Sequence, residues 1–162
     1  MSAPWKAELD AILGARHGGA SEPVIARLRD LDRRHPNVGE IHAQLAWSFA
    51  SSGRTADARD HYERALALGL PPNEHAGALI GLGSALLELG EAARASELFR
   101  GGRALFPEQR EFDAFLATAL RAEGRADEAA QILLEVLIET SEDPGIAAYQ
   151  RLLRHLTARR AS

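Results

Sequence analysis

The chain has 162 residues, a formal net charge of −4 and a pI near 5.9, so it exerts no general attraction on nucleic acid or anionic lipid. Apolar residues make up 46% and charged residues 26%, which sets aside disorder and a membrane-embedded chain. With no cysteine there is no disulfide framework, thiolate metal site or cysteine nucleophile, and a reducing, cytoplasmic setting is expected.

The opening MSAPWKAELD has no basic segment followed by an apolar run, so no secretory leader is read from it. No stretch approaches the ~20 apolar residues of a membrane span. Alanine, leucine, arginine and glutamate dominate, all good helix formers. The apolar pattern predicts helices near 4–17, 21–34, 38–51, 55–69, 74–89, 92–105, 108–122 and 126–140. A glycine ends every first helix of a pair: weakly in ELDAILGARHGG at Gly19, then in HAQLAWSFASSG at Gly53, ALIGLGSALLELG at Gly90 and DAFLATALRAEG at Gly124. The intervals are 34, 37 and 34 residues. Glycine stops a helix by adopting the left-handed conformation without a Cβ clash. Pro36 and Pro107 stop the second helices, and Pro71 does so one residue later in its unit. A ninth helix is expected over 144–159, with Asp143 as N-cap and Pro144 in the first turn. Its Ile146, Tyr149, Leu153 and Leu156 make one apolar stripe, which reads as a cap over the last pair.

The internal pattern resembles the tetratricopeptide repeat, a helix–turn–helix unit of about 34 residues whose first helix carries W-x₂-L-G-x₂-Y. Those slots hold His42, Leu45, Ala46 and Phe49, then Leu79, Leu82, Gly83 and Leu86, then Asp113, Leu116, Ala117 and Leu120. The second helix of that family carries small, aromatic and small residues. Ala58, Tyr62 and Ala65 fit, as do Ala95, Phe99 and Gly102; Ala129, Leu133 and Val136 fit more loosely, and Val24, Leu28 and Leu31 take these places in the first unit. Glu8 and Asp113 depart from the pattern, sitting where the family prefers a large apolar residue. Three extra residues around Leu70–His75 lengthen the second connection or the helix after it. The resemblance implies an all-α fold, a right-handed α-α superhelix of about four helix pairs with a C-terminal capping helix. It forms one domain over 1–162, with repeats at about 4–37, 38–72, 74–107 and 108–141. Small residues at Ala46, Gly83 and Ala117, and at Ala58, Ala95 and Ala129, would let facing helices approach closely.

Nothing in the sequence assembles catalytic, cofactor or metal chemistry, and the chain is read as a non-enzyme. Histidines stand at 17, 35, 42, 61, 75 and 155 without metal-ligand spacing, and His42, in an aromatic slot, reads as a half-buried packing residue. Ser84 in GLGSA lacks the strand–turn–helix setting of a nucleophile.

The resemblance also implies that the first helices line a concave face that holds a peptide or partner protein. The residues there that the core slots do not use begin with Lys6, Leu9, Leu13, Arg16 and His17. Gln44, Trp47, Ala50 and Ser51 follow on the second unit, Ile80, Ser84, Leu87 and Glu88 on the third, and Phe115, Thr118, Arg121 and Ala122 on the fourth. Trp47 and Phe115, with Ile80 between them, read either as anchors of an apolar strip or as packing residues. The lysine and asparagine clamp with which some family members hold a peptide carboxylate is absent; Lys6 is the one lysine on this face. The leading function is therefore a bacterial-type interaction module or scaffold. The alternatives are self-association as a homodimer and, last, contact with nucleic acid through the four arginines of 150–162, which have no acid among them. A solvated basic cap at a helix C-terminus is the plainer reading of those arginines.

Overall fold

The computed structural model describes residues 3–16 and 22–158. Within them the chain is all-α, with helices α1 Pro4–Gly14, α2 Glu22–Arg34, α3 Gly39–Ser51, α4 Thr55–Leu68, α5 Pro72–Glu88, α6 Ala92–Leu105, α7 Glu111–Ala122, α8 Ala126–Thr140 and α9 Pro144–Ala158. His17, Gly19 and Ser21, which enter the expected first connection, lie outside the described residues, as do the last residues of the C-terminal tail.

The helix ends follow from local chemistry. Gly53, Gly90 and Gly124 have φ of 74°, 80° and 80°. At each, the next residue's amide donates five residues back, Arg54 to Phe49 O (2.9 Å), Glu91 to Leu86 O (2.8 Å) and Arg125 to Leu120 O (2.8 Å). The glycine amides donate to Ala50, Leu87 and Arg121 O. This paired-bond arrangement satisfies the last carbonyls of α3, α5 and α7 in the same way three times. Three expected boundaries move by two residues or more. α1 ends at Gly14 rather than near 17, with Ala15 as its C-cap. α5 begins at Pro72, where a proline loses no intrahelical bond, so the inserted residues give a helix of 17 residues against 13 for α3. α7 begins at Glu111 because the residues after Pro107 first close a turn, Gln109 N donating to Phe106 O at 3.0 Å.

The chain divides into two compact units, Met1–Glu91 with α1–α5 and Ala92–Ser162 with α6–α9. In the first, each helix packs on the next and α3 also packs on α5. Its core is built from Ile12, Ile25, Leu28, Leu31, Ile41, Leu45 and Phe49, with Ala46, Ala58 and Ala65 fully enclosed between helices. The Tyr62 ring lies where a Cβ on Gly81 of α5 would have to be, so α4 and α5 meet ring to backbone. In the second unit α7 packs on α6 and α8, and α8 on α9. Phe99, Phe112, Leu116 and Leu120 fill its core, and the Phe112 ring covers Gly102 of α6 in the same manner.

The first core slot of the first helices holds a polar residue at Glu8, His42 and Asp113, and each is bonded across a helix boundary. Glu8 accepts both Arg34 guanidinium nitrogens, at 2.6 and 2.9 Å. His42 is buried rather than half-buried, and is more than a packing residue. Its Nε2 meets Pro36 O at 3.3 Å, an atom that can only accept, so Nε2 carries the proton, and Asp32 Oδ1 stands 3.2 Å from the same nitrogen without a hydrogen bond of its own. Its Nδ1 then accepts from His61 Nδ1 at 3.0 Å. Asp113 is 1% exposed and sits between Arg103 Nε at 2.7 Å and Arg110 Nη1 at 3.0 Å. A buried charge of this kind requires its partners, and here both are in place.

Candidate functional site

In the first unit α3 and α5 lie side by side with α4 behind them, and this arrangement leaves a cavity of about 300 Å³. Ala43, Gln44 and Trp47 line it from α3, Glu74, Gly77 and Ala78 from α5, Tyr62 from α4, and Arg16 from just beyond the end of α1. On α3 Ala43 and Gln44 lie four and three residues before Trp47, and on α5 Gly77 and Ala78 lie three and four residues after Glu74, so each helix offers one face.

Trp47 is 40% exposed, while its neighbours Ala46 and Ser48 are buried. The Arg16 guanidinium stands over its ring, 4.2 Å from the centroid, and donates to Gln44 Oε1 at 3.1 Å. The stack and the hydrogen bond fix both side chains at the cavity mouth. Burial pulls the Arg16 pKa below the ordinary arginine value, and Arg16 Nε has no hydrogen-bond partner. Across the cavity lining stands Glu74, whose Oε2 is enclosed without a hydrogen bond. Burial raises its pKa, the Glu40 carboxylate raises it further, and Lys6 opposes them. The site therefore offers an aromatic face, a guanidinium and a carboxyl around a space of side-chain size.

The remaining expected positions fall as follows. Leu9 is buried and spent on the core. Ile80, Ser84 and Leu87 run along α5, partly exposed. Ser51, Ser84 and Thr118 each turn the hydroxyl back onto the carbonyl four residues earlier, on Trp47, Ile80 and Ala114 at 2.9, 2.8 and 3.0 Å, so their donors are already used. Phe115, Thr118 and Arg121 belong to the second unit. There the Phe115 ring stacks on Phe99 with centroids 5.5 Å apart, while Thr118 and Arg121 are exposed. The expected groove leaves out Ala43, Tyr62, Glu74, Gly77 and Ala78; on α5 it takes positions from Ile80 onward, while the cavity lies against the first turns of that helix. The available signal was Pro71-Pro72, a proline pair able to open a helix. Among the described residues no group of three or more histidines and carboxylates is placed to hold a metal ion, and no helix is long and apolar enough to cross a membrane.

No curated protein matches the chain. Among solved structures it is similar to a crystal structure of MamA protein, at 21% identity and a TM-score of 0.65, over 82% of this chain and 67% of that one. It is also similar to the MamA RS-1 ArsTM double mutant, at 18% identity and a TM-score of 0.69, over 100% of this chain and 98% of that one. At these identities the likeness speaks for the fold, an all-α helical repeat. The family model described as Tetratrico peptide repeat matches residues 39–158, a span running from the first residue of α3 to the last of α9. The regular glycine caps, the small residues between helices and this match together establish that the chain belongs to the tetratrico peptide repeat family.

Proposed function

We propose that the protein is an interaction module that holds a peptide or a partner protein on the α3–α5 face of its first unit, with Trp47 as the anchor. The observation that carries this reading is the half-exposed Trp47 ring, fixed by Arg16 beside an open cavity. Tryptophan and arginine are the residues on which protein contacts most often depend. Arg16 supplies charge for a partner carboxylate, Glu74 supplies a hydrogen-bonding carboxyl, and Gln44 steadies the arginine. Ile80, Ser84, Leu87 and Ser51 extend the face. Phe115, Thr118 and Arg121 offer a comparable first-helix surface on the second unit. A cysteine-free, acidic chain of this kind fits a cytoplasmic scaffold of bacterial type.

Two substitutions test the reading on peptides selected from a displayed random library against the intact chain. Trp47→Ala weakens their binding by more than about 1 kcal/mol, which is roughly fivefold or more, with little change in melting temperature. Gly77→Leu blocks the cavity: a Cβ at Gly77 meets nothing within 4 Å, so the new side chain fills the space while the helix gains a better former. Peptides that bind both variants as well as the parent, or a Trp47→Ala chain that loses stability in step with binding, would overturn the proposal.

A further inference from the structure

In the second unit an apolar surface is left open on α8 and α9. Leu133, Leu134 and Leu137 of α8 and Tyr149, Leu152 and Leu156 of α9 are between 44% and 65% exposed. α9 has no buried residue. It packs on α8 with Ile146, Gln150, Leu153 and Thr157 half-buried, and two side-chain bonds fix the pair: Gln150 Nε2 donates to Ile138 O at 2.8 Å and Gln131 Nε2 to Thr157 O at 3.4 Å. These pairs run in opposite order along the two helices, so α8 and α9 are antiparallel. With Gln150 and Thr157 of α9 turned inward, Tyr149, Leu152 and Leu156, spaced i, i+3 and i+7, form a stripe on an adjoining side of that helix. With Gln131 and Ile138 of α8 turned toward α9 and Ala129 and Ile132 buried, the three leucines fall on a side used by neither contact. Helical geometry then sets both stripes on one side of the pair, away from α7.

We infer that this face is an interface between two copies of the chain, joined across a two-fold axis. Three observations select a second copy. The six side chains leave on the order of 600 Å² open, at the upper end of what a monomer ordinarily exposes in one patch; two such faces together bury about 1,200 Å², the lower bound for a specific stable interface. The stripes themselves carry no charge. Glu139 is held at 2.5 Å by Arg110, and Arg151 and Arg154 of α9 lie off the stripe, so the face offers nothing to a charged ligand and meets its own image without like-charge repulsion. Finally, α9 covers only its Ile146, Gln150, Leu153 and Thr157 side in part, and a two-fold pairing covers its open stripe in both copies at once, as an interface made of one self-complementary patch requires.

The test is sedimentation equilibrium of the full chain across a concentration series. The parent chain forms a dimer with a dissociation constant in the micromolar range. Leu152→Glu, a change at an exposed position, sets a carboxylate in each half of the interface and raises that constant by about 100-fold or more. Circular dichroism in dilute solution shows that the variant keeps its helices. Gly77→Leu, on the other unit, leaves dimerisation unchanged, which keeps this outcome separate from that of the α3–α5 face. A chain that stays monomeric at every concentration, or a dimer indifferent to Leu152→Glu, overturns the inference.

Discussion

Glu8, His42 and Asp113 share one recurring position, and the chemistry of each is settled by a residue on another helix. His42 and Asp113 each reach back ten residues, to Asp32 on α2 and to Arg103 on α6. Glu8 instead finds Arg34 on α2. The pairing of His42 with His61 makes the first unit sensitive to acid. Burial lowers the His61 pKa below its ordinary 6.5, and the facing His42 lowers it further. Asp32 and Asp57 pull it back, and Arg29 adds to the lowering. A histidine whose pKa is lower folded than unfolded binds fewer protons when folded. Its contribution is present in full above the unfolded value and is lost as pH falls through the folded one. Thermal unfolding is therefore expected to shift to lower temperature as pH is taken below about 6.5, and His61→Gln should flatten that slope. A His61→Gln chain with the parent's pH profile would rule this out. None of this was legible from spacing, because a histidine in an aromatic slot looks like packing until its partner, nineteen residues away, is seen to face it.

At the scale of the helix, the glycine interval was the most legible feature of the chain. Positive φ at Gly53, Gly90 and Gly124 is what such spacing demands, and all three glycines have it. Gly90→Ala keeps the hydrogen bonds but forces a Cβ into the left-handed region, and the loss should be about 1–2 kcal/mol. Chemical denaturation measures it, with Gly77→Ala, at a helical position, as the contrasting change that stabilises. A Gly90→Ala chain as stable as the parent would contradict the cap assignment. Helix starts were harder to read than helix ends. Prolines allow both a stop and a start: Pro71 reads as the end of one element, while Pro72 opens the next. Glu74, Gly77 and Ala78, the cavity wall on α5, lie in the first turns of that helix, ahead of the expected Ile80, Ser84 and Leu87, whereas Trp47 and Gln44 on α3 are among the expected positions. Phe115 shows another difficulty: its position on α7 allows both an anchor and a packing residue, and only Phe99, on another helix, shows one face of its ring in contact.

Across the whole molecule, burial is uneven. α3 buries Gly39, Ile41, His42, Ala43, Leu45, Ala46, Ser48 and Phe49, while α9 only half-buries Ile146, Gln150, Leu153 and Thr157. Local opening follows such differences, since a helix with few buried contacts costs little to release. In dilute protein, amide hydrogen exchange is expected to proceed first in 144–158 and last in 39–51. Equal protection of the two segments would contradict that order.

The reversed polarity of two equivalent contacts bears on how such a chain can change over time. Asp32 meets a histidine in the following helix, whereas Arg103 meets a carboxylate. A duplication or shuffle that set α2 ahead of α7 would bring Asp32 against Asp113, two anions in an enclosed place, and α6 ahead of α3 would confront His42 with a guanidinium. Each junction thus works as a lock cut for one neighbour, and the succession of modules is written into it. New modules can be inserted more freely where the same two positions are Gly69 and Leu79, which impose no charge on whatever adjoins them.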